Sequence, residues 1–309
     1  MVSASASAPA SIGNVGVGFD VLGQAFDAVR DRVTAVREPE PGARLGAVSG
    51  LVDRLPDTPA TNTALAAAVA LLEAAGADFG VRLSIDKGIP MSAGMGGSAA
   101  SAVAAAVAVN ALLPRPFNHP DLLPFAMAGE RVSSDPPPWD NVAASLFGGL
   151  VIVASERDAL VRPLPTPAGI VSILFHPPVA VHTAEARRLL RAEVPMATAV
   201  EHSRRLAAFV AGCASGDLGL IRTGLDDLLV EPQRAHLLPA LAPVKAAARA
   251  AGALGCSFSG SGPSVFAWAP EGKADAVADA MDAAFRAAGL AATDYRAPVE
   301  SEGVRLVRA

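Results

Sequence analysis

Pro90-Met91-Ser92-Ala93-Gly94-Met95-Gly96-Gly97-Ser98-Ala99-Ala100-Ser101 sets three glycines and three serines directly before a long Ala/Val-rich segment. Without side chains at Gly94, Gly96 and Gly97, a backbone of this kind turns sharply and brings its N–H groups close to an anion. A helix starting near Ser98 adds unpaired N–H groups and the positive end of its dipole. The stretch therefore reads as a phosphate site with a nucleotide as ligand, although a Gly/Ser loop before a helix also serves as a plain turn with a serine cap. Two familiar phosphate motifs do not fit. A P-loop ends in Gly-Lys-Ser/Thr, whereas Lys87 lies before the glycines. A dinucleotide fingerprint needs Gly-x-Gly-x-x-Gly and an acid about twenty residues on. Here the spacing is Gly-x-Gly-Gly, and Ala-Leu-Leu-Pro-Arg-Pro follows Asn110.

Outward from the loop, Val81–Ile85 alternates as a strand, and Thr61–Ala75 reads as a helix capped by Thr61-Asn62-Thr63. Val2–Ala8 has the period of a half-buried strand that Pro9 ends, followed by a glycine-punctuated turn over Gly13–Asp20. On the other side come helical stretches at Ser98–Leu113 and Pro120–Val132, the proline loop Pro136–Pro138, then Trp139-Asp140-Asn141 and a buried strand at Gly149–Ala154. The charged, proline-containing passage Ser155–Pro167 is the expected domain boundary. Beyond it strands (Ile170–Phe175, Leu254–Phe258, Ser264–Ala269, and near Ala292 and Val304) interleave with helices (Ala184–Leu190, Thr198–Ala214, Leu241–Ala251, Ala274–Ala288). This order predicts an α+β fold, with domains at 1–160 and 161–309 and the last strand free to pack on the first domain.

The composition narrows the function. A chain of 309 residues, 51% hydrophobic, has material for one large or two ordinary domains. A net charge of −5 without a basic run argues against nucleic acid and anionic membrane surfaces, which leaves small molecules as partners. Cys213 and Cys256 stand in apolar surroundings outside any Cys/His cluster, so buried reduced thiols are expected and no zinc site is indicated. Met1–Ser11 lacks a basic start and a continuous apolar run, and no segment is long and apolar enough to span a bilayer. A soluble cytoplasmic protein is expected.

Three further segments share the character of the loop: Pro9–Asp20, Glu130 with Asp140-Asn141, and Gly255–Ser264. Together with it they make the chain similar, nearly end to end, to the GHMP small-molecule kinases, most closely the branch that phosphorylates homoserine. The closer likeness rests on Asn14-Val15-Gly16-Val17-Gly18-Phe19-Asp20-Val21-Leu22-Gly23, on Asp140–Ala143 followed by Gly148-Gly149, on Thr183–Arg187 and on Glu231–Arg234. The resemblance implies a two-domain GHMP kinase fold. Its N-terminal half is a ribosomal-protein-S5-like α+β domain and its C-terminal half a ferredoxin-like α+β domain, with nucleotide and amino acid between them. It also implies ATP-dependent phosphorylation of the side-chain hydroxyl of L-homoserine to O-phospho-L-homoserine, on the route to threonine, with Mg²⁺. By the same resemblance Pro90–Ser101 wraps the ATP phosphates, with Gly260, Ser261 and Gly262 closing from the second domain. Ser98 and Glu130 hold the metal, Arg187 and Arg234 grip the substrate carboxylate, and Asp20 meets its ammonium. Asn141 holds the acceptor hydroxyl, Asn14 and Thr183 complete the pocket, and Asp140 orients its neighbours or faces the metal. Homodimerisation is a family-level expectation.

Two departures from the family wording bear on chemistry. Where the family usually has Gly-Ser-Gly-Leu-Gly-Ser-Ser, this chain has Ser92-Ala93-Gly94-Met95-Gly96-Gly97-Ser98. If the first serine of that pair is the metal contact, Gly97 removes it. A histidine that typically stands two residues before the Asp-Asn pair is replaced by Pro138. Pro138 and Trp139 motivate an alternative, a kinase for another small hydroxy acid. Gly97 motivates a second, a nucleotide- or metabolite-binding relative without catalysis.

Overall fold

The computed structural model describes residues 2–181 and 183–307. The first half comprises β1 (Ser3–Gly13), β2 (Leu22–Glu38), β3 (Gly42–Gly50), α1 (Thr63–Ala74), β4 (Gly80–Lys87), α2 (Gly97–Asn110), α3 (Leu123–Glu130), α4 (Trp139–Phe147), β5 (Leu150–Ser155) and β6 (Leu160–Leu164). The second half adds β7 (Ile170–His176), α5 (Thr183–Arg188), α6 (Met196–Ser215), α7 (Leu218–Gly224), the helical turn α8 (Glu231–Arg234), α9 (Leu241–Ala250), β8 (Gly255–Phe258), β9 (Val265–Pro270), α10 (Ala274–Ala287), β10 (Thr293–Pro298) and β11 (Arg305–Val307).

Seven strands form one sheet in the order β11-β1-β2-β4-β3, with β5 pairing β2 and β6 pairing β5; four form a second, β10-β7-β9-β8. The fold is thus α+β, and β6 lies inside the passage read as a domain boundary. The final strand returns to the first sheet, where Val307 pairs with Ser5 on β1. Strand β1 runs past Pro9 to Gly13 because the register shifts between Pro9 and Ala10. At such a bulge a residue without an N–H leaves the ladder intact.

Packing explains the alanines. On β1, Ala6, Ala8, Ala10 and Ile12 are fully buried, and α2 is buried at every position from Ala99 to Asn110. A helix apolar on all sides belongs inside a core, and small side chains let it lie close to the sheet. That core continues into the second half through Phe209, Ile221, Leu225, Phe266 and Trp268. Trp268 Nε1 also donates to Gln24 Oε1 at 2.8 Å, linking β9 to β2. A second core lies between the four-stranded sheet and α9 and α10, where Phe175 and Phe285 stack with centroids 5.7 Å apart. Both cysteines are free and buried, and burial pushes each thiol up to about 12. Among the described residues no helix is long and apolar enough to cross a membrane.

Candidate active site

The glycine loop joins β4 to α2. Gly94 and Gly96 have φ of +71° and +64°, and a Cβ would lie 2.6 Å from the carbonyl oxygens of Gly262 and Ser259 in one case and 1.9 Å from Ser11 Oγ in the other. No side chain fits either place. Three successive carbonyls of the loop are spent on neighbours outside the cavity. Ala93 accepts from Ser264 N at 3.3 Å, Gly94 from Ser259 Oγ at 2.6 Å and Met95 from Ser11 N at 3.0 Å. Helix α2 then begins with Gly96 as its N-cap, no side-chain cap and no acid in its first turn. The serine-capped turn is thereby set aside: the helix end is left open to an anion.

A cavity of about 450 Å³ follows this loop, within the usual size of small-molecule sites. Every residue from Pro90 to Ser98 lines it, as does Ser101. So do Glu130, Asn141, Asn14, Asp20, Arg187, Arg234, Gly260 and Ser261, which brings the separate sequence segments to one place. Ala99 and Ala100 lie buried in the first turn of α2, and neither they nor Asp140 and Gly262 line the cavity. Thr183 opens α5, and its side chain lies outside the described residues.

Glu130 ends α3 with its side chain buried. Its Oε1 accepts from Ser98 Oγ and Ser133 Oγ, both at 2.8 Å, whereas Oε2 is buried with no hydrogen-bond partner among the described residues. Burial pushes this carboxyl up to about 7, against the pull of the two hydroxyls and of the Lys87 charge. Gly97 takes nothing from this carboxylate. A Cβ there would sit 3.2 Å from Ile89 and 3.5 Å from Lys87 Nζ, and the hydroxyl on Glu130 comes from Ser98.

Asp140 and Asn141 occupy the first turn of α4, just after Pro138 at its N-cap. Asp140 Oδ2 accepts from Asn14 N at 2.8 Å, and Oδ1 accepts from Asn141 N and Nδ2 at 2.9 and 3.2 Å. Burial, then the nearby Asp20 charge, pushes Asp140 up to about 7 against those bonds. Asn141, which lines the cavity, accepts from Ser11 Oγ at 2.9 Å through Oδ1 and donates once through Nδ2, to Asp140, which leaves one amide N–H without a partner among the described residues. Asn14 and Asp20 hold φ of +70° and +56°, a region short polar side chains tolerate. Asn14 Oδ1 accepts from Asp20 N at 3.2 Å and its Nδ2 donates to Gly260 O at 2.8 Å, tying the first turn to the loop of the second sheet.

The opposite charges meet at Arg187, whose Nη1 and Nη2 donate to the two oxygens of Asp20 at 2.8 and 2.9 Å. Buried Arg234 donates Nε to Ala186 O at 3.0 Å. Burial, then the charge of Arg187, brings it down to about 10. The Phe19 ring spaces the two cations, each guanidinium carbon 5.4 Å from its centroid.

Other lining residues went unread in the sequence. Leu55, Pro56 and Ile85 lie along the cavity with Asn62, although Asn62 also caps α1 through Ala64 N and Leu65 N at 3.0 and 3.3 Å. Nothing in Leu55-Pro56 signals a ligand. Lys87, set aside with the P-loop, lines the cavity too, and its rarity was the available sign: it is one of three lysines in the chain. Among the described residues no group of three or more His, Cys, Asp or Glu side chains is placed to hold a metal by itself.

An uncapped glycine loop and a buried carboxylate with one unpaired oxygen among the described residues share one cavity, an arrangement that suits a small-molecule kinase, and similarity to known proteins shows that class. The sequence profile of the GHMP kinases N terminal domain matches residues 62–149, and that of the GHMP kinases C terminal matches residues 208–287. The chain is 44% identical to homoserine kinase of Xylella fastidiosa over 98% of its own length and 94% of the relative, and 38% identical to that of Chloroherpeton thalassium over 97% and 98%. It superposes on the crystal structure of homoserine kinase from Cytophaga hutchinsonii with a TM-score of 0.95 at 38% identity, covering 99% of this chain and 98% of that one. Mevalonate kinase of L. major, at 16% identity and a TM-score of 0.71 over 94% and 95%, shares the fold. The chain belongs to the homoserine kinase branch of the GHMP kinase family.

Proposed function

We propose that the protein transfers the γ-phosphoryl group of ATP to the side-chain hydroxyl of L-homoserine, giving ADP and O-phospho-L-homoserine. One observation carries the reading. A single cavity holds the uncapped glycine loop together with the Asp20 carboxylate and two guanidiniums, the complement of an α-amino acid, and also the Glu130 carboxylate that accepts from Ser98 of the loop. The loop and first-turn amides of α2 bind the phosphates, and Leu55, Pro56, Asn62 and Ile85 offer an apolar and amide surface to the nucleoside. Arg187 and Arg234 take the amino-acid carboxylate, where a planar fork bonds both oxygens, and Asp20 takes the ammonium. Asn141 directs its remaining N–H at the acceptor oxygen.

Buried Glu130 Oε2, without a partner among the described residues, and the hydroxyl of Ser98 fit a magnesium ion, a hard cation that shares its ligands with phosphate oxygens. When bound, Mg²⁺ neutralises charge on the transferring phosphoryl group. Asp140 has both oxygens engaged and lies off the cavity, so it fits the role of holding Asn141 and the Asn14 turn in place. Transfer then relies on positioning and charge stabilisation: the acceptor oxygen bonds to the γ-phosphorus as the bond to the β-phosphate oxygen breaks, and the hydroxyl proton passes to a phosphoryl oxygen and then to solvent, with no side chain required to abstract it. The test is a coupled assay with ATP and Mg²⁺ against homoserine, serine, threonine and mevalonate. Turnover of homoserine well above the rest is expected; preference for mevalonate, or no turnover at all, refutes the reading.

A further inference from the structure

Lys87 closes β4 and Asp31 lies in β2, 56 positions away in sequence, yet their side chains form an ion pair 3% and 0% exposed. Asp31 Oδ1 accepts from Gly88 N and Ile89 N, both at 3.1 Å, where the chain leaves β4 for the glycine loop. Its Oδ2 accepts from Lys87 Nζ and, at 2.7 Å, from Ser101 Oγ in α2. Lys87 Nζ also donates to Gly97 O and Ser101 Oγ, each at 3.0 Å. One carboxylate therefore grips both ends of the loop, its start directly and its end through Lys87 and Ser101. An ammonium has three N–H donors, and all three of Lys87 are spent. Although it lines the cavity, Lys87 has no donor left for a ligand.

We propose that Asp31 and Lys87 are positioning residues for the nucleotide, holding the two ends of the glycine loop so that its amides stay at the spacing a phosphate chain requires. The proposal rests on the ATP reading above. Helix α2 carries no side-chain cap, and the bonds from Ser11, Ser259 and Ser264 hold the middle of the loop, at Ala93–Met95, rather than its ends. A buried ion pair seldom stabilises a fold more than apolar side chains of similar volume do, so removing both charges together is expected to leave folding intact while loosening the loop. Removing one alone would strand the other in the core.

The test compares wild type, the double variant Asp31→Asn/Lys87→Met and Ser101→Ala. Calorimetric titration with Mg·ATP and, separately, with homoserine is accompanied by thermal unfolding. For the double variant, ATP affinity is expected to fall by about tenfold or more, with the homoserine Kd held within about twofold. Ser101→Ala, which removes only the bridging hydroxyl, is expected to weaken ATP by about threefold. Equal weakening of both ligands, or an unchanged ATP Kd in both variants, overturns the proposal; if the double variant does not fold, Ser101→Ala decides alone. Wild type that fails to bind ATP overturns the kinase reading itself, and the wild-type titration by itself identifies that outcome.

Discussion

Asp20→Asn should move the two kinds of ligand of the amino-acid subsite in opposite directions rather than weaken both. Asp20 and Arg187 hold each other through two charge-assisted hydrogen bonds of 2.8 and 2.9 Å, with side chains 30% and 27% exposed. A ligand that uses either partner must take it from the other. On the proposed reading homoserine, a zwitterion, replaces both contacts at once, whereas 4-hydroxybutyrate would offer a carboxylate to Arg187 and leave Asp20 unpaired. At this exposure the pair is worth about 1 kcal/mol, or about fivefold in affinity. Neutralising Asp20 removes that competition, so 4-hydroxybutyrate should bind about fivefold tighter to the variant than to wild type. Homoserine loses a charge-assisted bond of about 1.5–3 kcal/mol and regains about 1 from the freed arginine, a net loss of roughly two- to thirtyfold. The variant should fold, because asparagine accepts the φ of +56° at this position. The assay is the KM for homoserine and the competitive Ki of 4-hydroxybutyrate, with the KM for ATP as control. An unchanged or weaker Ki in the variant refutes the exchange, because a residue that only contacts the ammonium leaves the hydroxy acid unaffected.

Glu130→Gln should remove a pH-dependent cost in stability and abolish function together. Burial lifts this carboxyl from 4.5 to about 7, so the folded state holds its proton more tightly than the unfolded chain. Its contribution therefore falls as pH rises from 4.5 to about 7 and is least favourable above that range, by roughly 3 kcal/mol at most. The buried amide of the glutamine variant carries a cost that does not change with pH. In chelator its Tm relative to wild type should therefore rise by a few degrees between pH about 5 and pH about 8, with no Mg²⁺-dependent turnover; a difference independent of pH refutes the burial argument. Ser98→Ala should lower kcat by about tenfold or more while Gly97→Ser keeps most of it and loses about 1 kcal/mol of stability against Ile89, as read by kcat and denaturant midpoints. The opposite ranking would return the metal-facing hydroxyl to position 97. Trp268→Phe leaves Gln24 Oε1 unpaired in the core and should cost about 1–3 kcal/mol with both KM values unchanged, measured by urea unfolding.

How much of this was legible in the sequence depended on where each constraint leaves its mark. Gly94 and Gly96 are required by positive φ and by backbone within 2.6 Å of a Cβ in one case and a hydroxyl within 1.9 Å in the other, so the requirement is written at the positions themselves. The Gly13–Asp20 turn was legible through its glycines, and the left-handed conformations at Asn14, Gly16 and Asp20 are ones that Gly, Asn and Asp tolerate. Strand β2 was not read, because Arg30, Asp31, Arg32 and Arg37 interrupt its apolar alternation and Asp31 points into the core. Helix α4 was read only as the segment Trp139–Asn141, since a run of prolines precedes it and its first turn carries the site residues. The Asp31–Lys87 pair exists only through the β2–β4 ladder, in which Arg32 lies opposite Asp86. No local pattern announces a contact made by strand register.

On the proposed reading, exposure separates the two ion pairs of the site into different kinds of part. Arg187 and Asp20 keep about a quarter to a third of their side-chain surface open, so each can be drawn away by a ligand charge, and the pair acts as a selector. Lys87 and Asp31 are closed off at 3% and 0%, and every donor of the ammonium is already committed. Exchanging either would leave an uncompensated charge in a low-dielectric core, a penalty no single ligand contact offsets. The first pair can therefore change partners and the second cannot. If the protein phosphorylates homoserine as proposed, specificity for a zwitterion is expected of the open pair, and the fixed geometry that phosphoryl transfer demands of the closed one.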